Sequence, residues 1–204
     1  MKLYYKPGAC SQATHITLQE LGLDYELDRV LPETGKTDSG RDYSEINANG
    51  YVPSLELDCG EVLTEGPSIL QYLADQNPAS CLAPTPGTMK RARMQSTLTF
   101  ISSELHTGFR PFFQNPDLAG QARQQAEAGL AKHFDYVESL LRDGRDFLTS
   151  KTFTIADAYG YVVSSWAPMV GFELKPWPLV EAYLERVQSR PSVQAALAAE
   201  GLLS

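Results

Sequence analysis

The stretch YKPGACSQA, residues 5–13, holds one cysteine in a short turn between an apolar run and a helical pattern. A thiol at that point faces unpaired backbone N–H groups and the positive end of the helix dipole. Both favour a thiolate, either its own or a bound ligand's. The Pro7-Gly8 turn lifts the next residues to the C-terminal edge of a sheet, where open α/β sheets bind ligands. The other reading is a small, buried and inert cysteine, and the local pattern leaves both open. Ala13 occupies the third position after Cys10, so the turn reads CSQA and not CxxC. That disfavours a dithiol oxidoreductase and leaves a one-thiol mechanism with an external thiol.

Three further stretches carry chemistry. LTEGPSI, residues 63–69, opens a helix with an acid and a glycine. Free N–H groups near Gly66 and Ser68 suit a carboxylate, and Glu65 suits an ammonium, so a ligand with an amino-acid end fits. An ordinary helix start with an acid at the dipole is the plainer alternative. NGYVPSLEL, residues 49–57, places Pro53 at the start of a strand, where its missing N–H is tolerated. A cis Val52-Pro53 bond would turn the Val52 backbone outward to pair with an extended peptide. TFISSELH, residues 99–106, lines Thr99, Ser102, Ser103 and His106 along one side of a helix, offset from Leu98, Ile101 and Leu105. Such a stripe is a solvated face unless another part of the chain packs against it. In that case His106 donates a hydrogen bond to a thiolate or acts as acid–base. TGKT, residues 34–37, imitates the end of a phosphate loop, but Val30 stands where the earlier glycine belongs.

The elements that must hold these residues fall into two groups. In the first 80 residues, KLYY (2–5), DYELDRVL (24–31), SLELD (54–58) and EVLTE (61–65) read as strands. Cys59-Gly60 marks a hairpin. SQATHITLQELG (11–22) and PSILQYLADQNP (67–78) read as helices. The pattern is β-α-β followed by β-β-α, which predicts a mixed sheet with helices on its faces. A Pro/Ser/Thr-rich linker follows over 81–88. From 89 to 204 the chain reads as all-helical. Met94, Leu98, Ile101, Leu105, Phe109 and Phe112 mark one long helix from Met89 to about Phe113, and Ala126, Leu130, Phe134, Val137 and Leu141 mark the next. Thr154 with Asp157 forms an acidic capping box, and Pro191 splits two short last helices.

Composition excludes several classes. The net charge of −8 argues against nucleic acid and anionic membrane as partners. No apolar run approaches the ~20 residues of a membrane span, and the N-terminal run, broken by Pro7, is too short for a signal peptide. Cys10, Cys59 and Cys81 are an odd, widely spaced set. They predict reduced thiols in a cytoplasmic setting rather than a disulfide framework. His15, His106 and His133 show no metal-ligand spacing, so no metal site is expected.

Taken in order, Tyr5, Cys10-Ser11, NGYVPSLEL, LTEGPSILQYLAD, FISSELH, FTIADAY and AALAAEGL resemble the bacterial beta-class cytosolic glutathione transferases over essentially the whole chain. The resemblance implies a thioredoxin-like domain over 1–80 with a mixed four-stranded sheet, and a helical domain over 89–204 that contributes the electrophile site. It implies a homodimer that uses glutathione as co-substrate, with no other cofactor, against a small hydrophobic electrophile. Cys10, Ser11 and His106 would be catalytic, with Cys10 able to form a mixed disulfide with glutathione. Val52, before cis-Pro53, would pair with the cysteinyl part, and Glu65 and Gly66 would hold the γ-glutamyl end. Tyr5, Lys36, Tyr51, Thr99, Ser103 and Glu104 would complete the surroundings. Gly35, Thr99 and Thr107 depart from residues frequent in the family. Thiol–disulfide exchange or peroxide reduction through Cys10, and non-catalytic binding of hydrophobic ligands, are the alternative functions. Phe109, Phe112, Phe113, Tyr161 and Trp166 are the candidate lining for such ligands.

Overall fold

A computed structural model describes residues 1–203. The described residues form two compact units: 1–83 together with 189–203, and 84–188.

The first unit is built on a five-stranded sheet in the order β3-β2-β1-β4-β5. Its strands are β1 (Lys2–Tyr5), β2 (Glu26–Leu31), β3 (Lys36–Thr37), β4 (Ser54–Glu56) and β5 (Val62–Thr64). β1 pairs parallel with β2 and antiparallel with β4; the β2–β3 and β4–β5 pairs are antiparallel. The parallel pair needs a crossover, and α1 (Gln12–Leu21) supplies it. The expected four strands are joined by a fifth, β3. It has two residues and no apolar alternation to announce it.

Side-chain alternation along β1 explains why both sheet faces are covered. Leu3 and Tyr5 pack with Leu18 of α1 and with Ile69 and Leu73 of α2 (Gly66–Gln76). Tyr4 points the other way, onto Val30, Tyr43 and Ile46. α1 ends at Gly22, whose positive φ of 61° allows the backbone to turn back on the last helical carbonyls. The segment 189–203 groups with this unit. Its helix α9 (Pro191–Ala199) is followed by Glu200, which is buried against α1. Arg190 binds Glu20 through two nitrogens at 2.7 and 2.9 Å.

The second unit is helical. The apolar stripe from Met94 to Phe112 is buried as expected, but the single long helix is interrupted. α3 (Met89–Phe100) passes into a π-turn (Ile101–Leu105), then α4 (His106–Gly108) and α5 (Arg110–Gln114). Thr107 Oγ1 donates to the Ser103 and Glu104 carbonyls at 2.5 and 3.1 Å, and so serves two acceptors of the π-turn. α6 (Gly120–Leu141), α7 (Ile155–Ser164) and α8 (Pro178–Gln188) complete the unit. Every residue of α7 is buried. A helix that is apolar all round sits at the centre of a core. At Gly160 an added Cβ would fall 2.6 Å from Leu148, so glycine is what allows the close approach. α7 starts at the expected capping box, where the Asp157 carboxylate accepts from the Thr154 N–H and hydroxyl, both at 2.8 Å.

Candidate active site

Cys10 lies in the turn between β1 and α1, half-buried. Its thiol donates to the Val52 carbonyl at 3.1 Å. Burial pushes the thiol up to about 11, against two weaker backbone hydrogen bonds, its own and that of Ser11, that favour the thiolate. The nearby Glu65 carboxylate also raises it. Of the two readings the local pattern leaves open, desolvation outweighs the helix start for the thiol itself, which is neutral at pH 7.

Ser11 is fully buried. Its hydroxyl donates to the Lys6 carbonyl and accepts from the Lys6 N–H, both at 3.2 Å, which closes the turn that carries Cys10. A hydroxyl engaged in this way fastens the turn that leads into α1. Tyr5 lies on β1 just before this turn. Its ring is buried in the sheet core and lies 6.3 Å from that of His15, as the pleat requires of a residue in register with Leu3.

The Tyr51–Pro53 segment meets Cys10 through Val52. The Val52-Pro53 bond is cis, the form that the resemblance implied. Tyr43 Oη and Asn47 Nδ2 both donate to the Tyr51 carbonyl, at 2.8 and 2.7 Å, and hold the segment from behind. Neither residue was singled out from the sequence. Only the burial of two polar side chains before NGYVP reveals them. The Tyr51 side chain is 70% exposed. Lys36 is exposed on β3, and its backbone bridges Asp42.

Glu65 opens α2 with an exposed side chain and a φ of 67°. A positive φ is a strained conformation for a residue with a Cβ, and strain of this kind collects at functional positions. Gly66 follows, packed at the ring of Pro53. The first unit therefore brings together Cys10, Val52, Pro53, Glu65 and Gly66.

The remaining candidates belong to the second unit. Thr99, Ser103 and Glu104 are exposed. Thr99 Oγ1 turns back to the Gln95 carbonyl at 2.9 Å, and Ser103 Oγ donates to Glu104 at 3.3 Å. His106 is held more firmly. Its Nδ1 lies 2.7 Å from Tyr159 Oη, and the Trp166 ring meets it edge-on with centroids 4.9 Å apart. Burial lowers its pKa, which keeps the ring neutral at pH 7. Trp166 in turn packs on Phe109 and on Phe113, whose ring is 47% exposed. Among the described residues no group of three or more His, Cys, Asp or Glu side chains is placed to hold a metal ion.

A mixed sheet with helices on its faces followed along the chain by an all-helical unit defines a two-domain class of α/β plus all-α proteins. The glutathione S-transferase N-terminal domain model matches residues 8–76, and the C-terminal domain model matches residues 100–191. The chain is 43% identical over 202 residues to the glutathione S-transferase GstA of Escherichia coli O157:H7, covering 99% of this chain and all of that one. A glutathione transferase from Methylococcus capsulatus superposes with a TM-score of 0.95 at 50% identity over 99% of both chains. A sphingomonad glutathione S-transferase complexed with glutathione superposes at 0.93 and 44%, and a bacterial beta-class enzyme from Sphingomonas chungbukensis at 0.93 and 41%, each over the full length of both chains. The chain belongs to the glutathione S-transferase family. Within that family its likeness is to the bacterial beta class.

Proposed function

We propose the following roles for the residues of this glutathione transferase, which conjugates reduced glutathione to electrophilic substrates. Glutathione lies along Tyr51–Pro53, with its γ-glutamyl ammonium on Glu65 and its carboxylate at the Gly66 end of α2. The nucleophile is the glutathione sulfur. Cys10, neutral at pH 7, is not the attacking group, and its turn is the floor of the site. Neutral His106 donates to the thiolate and so favours it over the thiol, which is the form that attacks carbon. Phe113 and Trp166 receive an apolar electrophile. The enzyme acts as a homodimer in the cytoplasm. Among the described residues no helix is long and apolar enough to cross a membrane.

The observation that carries these roles is the exposed Glu65 carboxylate at positive φ, opening α2 beside the Cys10–Val52 contact. A helix N-terminus with an adjacent acid is complementary to a zwitterionic amino-acid end.

The test is conjugation of reduced glutathione to 1-chloro-2,4-dinitrobenzene, followed at 340 nm. The wild type turns over. Cys10→Ala retains kcat within about threefold, because removal of a protonated thiol removes no nucleophile. His106→Asn loses about tenfold or more in kcat. Loss of turnover in Cys10→Ala with the fold intact would return the nucleophile to Cys10. Mass spectrometry of the wild type treated with oxidised glutathione measures exchange through Cys10. Slow adduct formation that accelerates as pH rises toward the thiol's pKa is the expected result.

A further inference from the structure

The contact between Tyr159 Oη and His106 Nδ1 leaves Nε2 as the other nitrogen of the imidazole. We infer that Tyr159 is a positioning residue for the conjugation reaction: its hydroxyl donates to His106 Nδ1, which places the single imidazole proton on Nε2 as the donor to the glutathione thiolate. The inference rests on the role assigned to His106 above.

The contact joins residues 53 positions apart at 2.7 Å. The two rings also meet edge-on, with centroids 6.0 Å apart and planes at 83°. Trp166 closes a second side of the imidazole at 4.9 Å and 70°. Two rings and one hydrogen bond leave the imidazole little freedom to rotate. A neutral imidazole carries one N–H, and the hydrogen bond at one nitrogen selects the tautomer seen at the other. A phenol O–H is a better donor than a phenol oxygen is an acceptor, so an Nδ1 lone pair facing Tyr159 is the favoured arrangement. Burial, which disfavours the imidazolium, supports the same neutral ring.

The backbone supports both partners. Tyr159 is buried in α7, one turn beyond the capping box of Thr154 and Asp157. His106 follows the π-turn directly, and its N–H bonds the Ile101 carbonyl five residues back. A π-turn inserts one residue into the helical phase and so re-aims the side chains that follow it. This lets Leu105 and Phe109 stay buried while His106 turns to Tyr159.

Tyr159→Phe keeps the ring and removes the donor. With reduced glutathione and 1-chloro-2,4-dinitrobenzene, kcat is expected to fall about tenfold while KM for glutathione stays within about twofold. The double variant with His106→Asn is expected to be no slower than His106→Asn alone, since both changes remove one device. Long-range 15N–1H spectra of histidine-labelled protein supply a readout that a merely structural role would not move. The His106 resonances are assigned by their loss in His106→Asn. They should show the Nε2–H tautomer in the wild type and a tautomer mixture in Tyr159→Phe. A wild-type Nδ1–H tautomer, an unchanged kcat in Tyr159→Phe, or additive losses in the double variant would each overturn the inference. Full kcat in His106→Asn would overturn the role of His106 itself. A loss in that variant with none in Tyr159→Phe would overturn only the positioning role.

Discussion

Glu65 holds a backbone conformation that works against local stability. Its φ of 67° is one that glycine adopts without steric penalty and that a side chain bearing a Cβ resists, at a cost of about 1–3 kcal/mol. Glu65→Gly should therefore melt at or above the wild-type temperature while KM for glutathione rises at least about tenfold, through loss of the ammonium partner. Thermal unfolding and glutathione titration of the same preparation check both halves. A clear loss of stability would show that the carboxylate supports the fold and not the ligand. Cys10 teaches the opposite lesson. Its neighbours in sequence argue for a thiolate, and its neighbours in space set the thiol at about 11. A helix dipole is worth about 0.3–1 kcal/mol near the surface, and burial of a charge costs more.

At the scale of the element, α7 carries Tyr159, the hydrogen-bond partner of His106. The Asp157 carboxylate accepts from the Thr154 N–H and hydroxyl and, through its other oxygen, from the Leu148 N–H at 2.7 Å, all away from water. Asp157→Ala leaves buried donors unpaired, which costs about 3 kcal/mol or more. The expected result is a melting temperature lower by on the order of 10 °C, with Thr154→Ala losing about a third as much. Differential scanning calorimetry reads both, and equal losses in the two variants would contradict the carboxylate's larger share. The capping box was legible because its residues are three apart. The π-turn was not, since the apolar spacing that marks Met94 to Phe112 is satisfied by a helix with or without one inserted residue.

On the scale of the whole molecule, the two ends of the chain are joined in one unit. The buried Glu200 carboxylate accepts from the Gly8 N–H at 2.9 Å, from Gln12 Nε2 at 3.1 Å and from His15 Nδ1 at 2.8 Å. It thereby ties the C-terminal segment to the turn that carries Cys10. Removal of a buried charge with this many partners costs about 3–5 kcal/mol. Glu200→Ala should unfold at lower urea than the wild type, with Glu200→Gln in between because the amide keeps one acceptor oxygen. A midpoint unchanged in Glu200→Ala would mean that α9 docks through its apolar face alone.

The sequence by itself determined the strands and helices whose signals are local, among them β1, α1, the Cys59-Gly60 hairpin, α2, α6 and the cap of α7. It also determined the family, through motifs spread over the whole chain. Periodicity, turn chemistry and capping act over a few residues, so a reading along the chain captures them. Only the tertiary structure decided that β3 joins the sheet, that residues 189–203 return to the first unit, that Ser11 fastens a turn, that Cys10 is protonated and that Tyr159 faces His106. Each of these depends on groups far apart in sequence. Desolvation and hydrogen-bond partnership are properties of the space around an atom, and packing creates that space.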